Sequence, residues 1–133
     1  MKKRIGLLFF AFLFSVGLWA QEKENIIPEN YLKDPGKPVL VMFTASWCGP
    51  CQLLKADIFP HPDVKPLLKK MNLLMMDVDT AEGKKYQNAF GCGQKGIPYL
   101  VLLDKDQRVI AERGGYNKDA SPYVEFLNKA LNP

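Results

Sequence analysis

The residues able to do chemistry lie together in Trp47-Cys48-Gly49-Pro50-Cys51. Two thiols three positions apart can close a small disulfide loop. They follow the apolar run Val39-Leu40-Val41-Met42-Phe43 and precede the helix-compatible Gln52-Leu53-Leu54-Lys55-Ala56, which places the pair at a strand-to-helix junction. At a helix N-terminus, unpaired N–H groups and the macrodipole favour an anion. Cys48 should therefore ionise more readily than a free cysteine, and it is the candidate nucleophile. Cys51, one turn on, is expected to face inward and to resolve the mixed disulfide that Cys48 forms with a substrate. Pro50 suits a first helical turn, where its missing N–H has no helical partner, and Gly49 leaves room for an approaching chain. A lone C-x-x-C can also be half of a zinc site. The other ligand candidates are only Cys92 and His61, with no second C-x-x-C and no histidine pair, so no metal is expected.

Trp-Cys-Gly-Pro-Cys after an apolar strand, with Gly96-Ile97-Pro98 before a second one, resembles the thioredoxin family over nearly all of the chain after residue 36. The resemblance implies a cis Pro98 lying against the dithiol and an Ile97 whose backbone pairs with an extended substrate. It also implies that Trp47 and Pro98 shape the docking surface, that Gly115 in Gly114-Gly115 keeps that surface open, and that no bound cofactor is needed. Independent physics says only that X–Pro bonds are where cis peptides occur. The run Phe59, Pro62, Val64 after the dithiol resembles one branch, the C-terminal reductase domains of DsbD-type transmembrane electron carriers and small exported proteins akin to them. The implied partners are disulfide-containing exported proteins and a membrane electron donor of the DsbD type. A monomer is expected.

The chain departs from that pattern at several positions. Met42 and Met75 stand where thioredoxins carry a buried Asp and a facing Lys, and Lys55 stands where the DsbD-like branch has an acid. The two methionines replace a charge pair with flexible apolar side chains. Either this is repacking, or Cys51 has lost a proton acceptor. Lys55 is either a solvated helix lysine or a cation that favours thiolate at Cys51. Cys92 reads as a buried inert thiol, or as a redox-sensitive one if its loop lies near Cys48. His61, between Pro60 and Pro62, reads as a cap or loop residue, with a general-base role as the alternative.

The elements that must position these residues follow from the remaining pattern. Residues 1–20 open with Met1-Lys2-Lys3-Arg4, continue as an apolar run from Ile5 to Trp19 and end at Ala20, as a cleaved secretory signal peptide does. An uncleaved membrane anchor is the alternative, although the run is shorter than the ~20 residues of a bilayer span. A periplasmic or secreted location after cleavage near Ala20 is expected. Without Lys2, Lys3 and Arg4 the basic residues fall from 18 to 15 against 14 acidic ones, a net charge of +1, so no nucleic-acid partner and no membrane-surface partner is implied. Contact with the membrane would come only through export or the electron donor.

Residues 21–36 are read as a tail with a short helix near Glu29–Lys33, and 37–133 as one thioredoxin-like domain. Val39–Thr44 reads as a central strand and Leu73–Asp79 as the next buried one. Ala81–Phe90 has helical spacing, Tyr99–Leu103 and Arg108–Arg113 form a hairpin, and Ser121 caps a last helix with Pro122 at its first position. The order gives an α/β thioredoxin fold: two parallel inner strands and an antiparallel hairpin in a mixed sheet of about four strands, with helices on both faces. The function expected is a periplasmic protein-disulfide reductase. Its rivals are the reverse activity, an oxidase or isomerase, and a non-catalytic binding or chaperone module.

Overall fold

The computed structural model describes residues 25–132, so the apolar segment read as a signal peptide lies outside the described residues. Four strands form one mixed sheet in the order β2-β1-β3-β4. β1 (Val39–Thr44) and β3 (Tyr99–Leu103) are buried at every position. Their unbroken apolar runs suit strands covered on both faces. β1 pairs parallel with β2 (Asn72–Asp77) and antiparallel with β3, which pairs antiparallel with β4 (Val109–Gly114).

Alternation along β1 divides the core. Leu40 and Met42 face one layer, with α1 (Gly49–Leu53), α2 (Lys65–Leu68) and α4 (Ser121–Leu131) supplying Cys51, Leu67, Tyr123, Phe126 and Leu127. Val39, Val41 and Phe43 face the other, against Tyr86 of α3 (Ala81–Ala89) and Cys92. Helices therefore cover both faces, and the architecture is the thioredoxin fold. α1 runs straight into a π-helical turn, Leu54–Ile58, in which the Phe59 N–H bonds the Leu54 carbonyl at 3.1 Å.

Three expectations are corrected. β2 is an edge strand, so the inner pair is β1 and β3, which run antiparallel. Only Asn72 and Met76 of β2 are buried, and Met75 is 44% exposed. Among the described residues, those before β1 supply no further strand to cover that edge; Glu29–Tyr31 is a single 3₁₀ turn, shorter than the expected helix. Finally, Ser121 is the first residue of α4 rather than its cap, and Pro122 the second. The carboxylate of Asp119 accepts the Ser121 N–H at 2.9 Å, and that bond holds the Asp119 carboxyl below its ordinary range.

The segment before β1 is also less of a tail than it reads. Ile27 is fully buried, and its N–H and carbonyl bond the side chain of Gln107 at 2.9 and 2.7 Å. Gln107 closes the β3–β4 turn with a φ of 59°.

Candidate active site

Cys48 is the N-cap of α1, and its sulfur accepts the Cys51 N–H at 3.2 Å. A developing thiolate on Cys48 would meet a backbone donor already aimed at it, which is the physical basis for a nucleophile at this position. The two cysteines are joined as a disulfide with their Cα atoms 5.3 Å apart. Cys51 is fully buried and Cys48 4% exposed, so the pair closes the top of the core layer formed by Met42, Leu54, Leu100 and Tyr123. Gln52 turns back to bond the Ala45 carbonyl at 3.1 Å, bracing the junction between β1 and α1. A Cβ on Gly49 would meet nothing within 4 Å, so the surface beside Cys48 is open. Pro50 occupies the first turn, where no N–H is needed.

Trp47 is 69% exposed, yet its ring is fixed: Nε1 donates to Asp79 Oδ2 at 2.8 Å. Asp79 is itself held by its N–H bond to Asp77 Oδ1 in the turn after β2. The Trp47–Asp79 pairing joins residues 32 positions apart, and no local sequence pattern marks it.

The Ile97–Pro98 bond is cis, and Pro98 is buried at the start of β3. Ile97 packs against the cluster that contains both cysteines. The Pro98 carbonyl accepts the Gly115 N–H at 2.9 Å, and Gly115 has a φ of 78°, a left-handed conformation that favours glycine. Trp47, Gly49, Pro50, Ile97, Pro98 and Gly115 thus belong to the β1–α1 junction and to the Pro98–Gly115 pair that frames β3.

Other candidates lie elsewhere. Cys92 is 1% exposed in the opposite core layer, with Phe43, Tyr86 and Tyr99, so the sheet separates it from the dithiol. Burial, reinforced by the Glu112 carboxylate, pushes its thiol above the ordinary range. His61 sits in the turn before α2, where Nδ1 accepts the Asp63 N–H at 3.1 Å and its carbonyl accepts the N–H groups of Val64 and Lys65. That is a structural role in the turn. Lys55 is half-buried and makes no ion pair among the described residues. Met42 and Met75 are direct neighbours across β1 and β2, but only Met42 is enclosed.

A thioredoxin fold with a capping Cys48, a buried Cys51 and a cis Ile97–Pro98 bond defines a dithiol-disulfide exchange protein. Known proteins agree: the thioredoxin-like family profile matches residues 30–105, and the chain belongs to that family. A thioredoxin-like protein of Synechocystis sp. is 34% identical over 96 residues, covering 72% of this chain and 81% of that protein. The chloroplastic thioredoxin-like protein HCF164 of Oryza sativa is 32% identical over 83 residues, 62% of this chain but only 30% of the relative. Among solved structures, the oxidised C-terminal domain of DsbD from Neisseria meningitidis superposes with a TM-score of 0.61 at 24% identity, covering 72% of this chain and 82% of that domain. At that identity the likeness is one of fold. The protein is a thiol-disulfide oxidoreductase of the thioredoxin-like family.

Proposed function

We propose that the protein is an exported, periplasmic reductase of protein disulfides. Cys48 thiolate attacks a substrate disulfide, forming a mixed disulfide and releasing one substrate thiolate. Cys51 then attacks Cys48 Sγ, which closes the Cys48–Cys51 disulfide and frees the second substrate thiol. The substrate lies as an added strand along the Ile97 backbone, beside Trp47, Pro98 and Gly115. A membrane donor of the DsbD type returns two electrons to the oxidised pair. The thiols carry the chemistry without a cofactor. Cys92, in the opposite core layer, is a packing residue in this reading. Residues 1–20 act as the export signal.

The observation that carries the reading is the Cys51 N–H aimed at Cys48 Sγ, since it favours the anionic, attacking form of Cys48 in the reduced protein. Gly-Pro between the cysteines, which resembles reducing thioredoxins, supports the reductive direction. The test is the equilibrium reduction potential of the Cys48/Cys51 couple in Cys92→Ser protein, measured beside catalysis of dithiothreitol-driven insulin reduction. A potential near thioredoxin's, about −270 mV, with insulin turnover is expected. A value near the strong oxidants, about −120 mV, would reverse the direction, and no turnover at all would make the protein a binding module.

A further inference from the structure

Tyr116, directly after Gly115, donates its hydroxyl to Asp57 Oδ2 at 3.1 Å across 59 residues of sequence. Asp57 belongs to the π turn that continues α1. Residues 115–117 are anchored on two other sides as well. Gly115 N–H bonds the Pro98 carbonyl at 2.9 Å, while the buried Tyr123 hydroxyl accepts the Asn117 N–H at 2.9 Å and donates to the Gly115 carbonyl at 3.4 Å. Pro98 fixes this loop to the sheet, and Tyr123 fixes it to α4. Among the described residues, the Tyr116–Asp57 bond is the one hydrogen bond that fixes it to the helix carrying the dithiol. Burial and the Asp57 carboxylate raise the Tyr116 hydroxyl above its ordinary range, so it stays a donor well into alkaline solution.

We propose that Tyr116 is a positioning residue: by holding Asp57 it sets the spacing between the Pro98–Gly115 side of the site and the Cys48 helix, so that an extended peptide disulfide docks in one geometry. The inference rests on the thiol-disulfide reading above. An extended substrate must satisfy two constraints at once, a backbone alongside Ile97 and a sulfur in line with Cys48 Sγ. Relaxing the distance between those two supports weakens docking while leaving the sulfur chemistry alone, because the Cys48 cap does not involve Tyr116. A small disulfide that touches only Cys48 has no second constraint to lose.

The experiment follows oxidation of the reduced protein by tryptophan fluorescence under stopped flow. Two probes are used, a ten-residue peptide carrying a mixed disulfide and 2-hydroxyethyl disulfide. Tyr116→Phe should raise the half-saturating peptide concentration about three- to tenfold, the size of one lost hydrogen bond, with the maximal rate, the reduction potential and the rate with 2-hydroxyethyl disulfide unchanged. Asp57→Ala should reproduce that shift and Asp57→Asn, which keeps an acceptor, should recover most of it. The double variant Tyr116→Phe/Asp57→Ala should be no worse than either single. An unmoved half-saturation in Tyr116→Phe, an equal loss with both probes, or additive singles would overturn the inference while leaving the oxidoreductase intact. Failure of the unsubstituted protein to reduce either probe would instead remove the reading on which it rests.

Discussion

Cys51 must lose a proton to resolve a mixed disulfide, and the protein interior offers it no base. The buried polar residues among those described are Thr44, Asn72 and Gln107; no carboxylate, amine or imidazole is buried. Met42 occupies the same layer as Cys51, where thioredoxins place an aspartate. In this protein the proton on Cys51 Sγ must pass to the departing substrate sulfur or to water, so resolution should follow pH through thiol ionisation alone. Met42→Asp supplies a carboxyl whose pKa the apolar surroundings raise toward neutrality. The variant should add an ionisation to the pH profile and speed resolution at neutral pH. It should also lose about 3 kcal/mol of stability, because the new charge is buried beside Met75 rather than a lysine. Adding Met75→Lys, at a half-exposed position, should recover part of that loss. Single-turnover kinetics check the first effect and urea unfolding the second. A resolution rate indifferent to Met42→Asp would mean that the missing carboxylate is repacking and nothing more.

Elements packed on both sides were the most legible in sequence, and those whose partners are distant were the least. β1 and β3 announce themselves because each is an apolar run, broken in β1 only by its last residue, Thr44, and Tyr99–Leu103 has the bounds the sequence suggested. Leu73-Leu74-Met75-Met76 has the same look, yet β2 lies at an edge; whether another strand covers it depends on what residues before β1 do, which apolarity within β2 cannot report. Ser121 could not be told from sequence to lie one residue inside α4: the N-cap position falls to Ala120, which has no capping side chain, and Asp119 accepts the N–H of Ser121 instead. The dithiol was readable from its local pattern, whereas the cis state of Pro98 came from the family likeness. Tyr116–Asp57 and Trp47–Asp79 join residues far apart in sequence and left no local trace. Packing of α3 on β2 yields a further test. Gly83 lies within α3, where alanine normally favours a helix by about 1 kcal/mol. Here an added Cβ would run into the Asp77 backbone carbonyl, and backbone cannot swing aside. Gly83→Ala should therefore destabilise by about 1–3 kcal/mol in urea unfolding, and a stabilised variant would show that α3 has room to move off β2.

The molecule has a reactive end and a tethering end. β1 runs from Val39, paired with Leu103 near the β3–β4 turn, to Thr44, just before the dithiol, and six residues of strand span about 20 Å. Ile27 is bonded to Gln107 in that turn, so the described chain begins at the end remote from Cys48. The C-terminus returns there too: Lys129, Ala130 and Leu131 border the same recess as Gly36, Asp104, Lys105 and Arg108. A tether joined to the described chain at Asn25 would therefore be attached at the end remote from the dithiol, leaving Cys48 free to meet a large disulfide partner. Immobilising the protein through a biotinylated extension at either terminus should leave the rate of peptide-disulfide reduction equal to that in solution. Attachment at the exposed Lys118, two residues beyond Tyr116, should slow it by obstructing the Gly115 side of the site. Equal slowing at all three positions would mean that the terminal end also takes part in substrate contact, and the division into a reactive and a tethering end would fail.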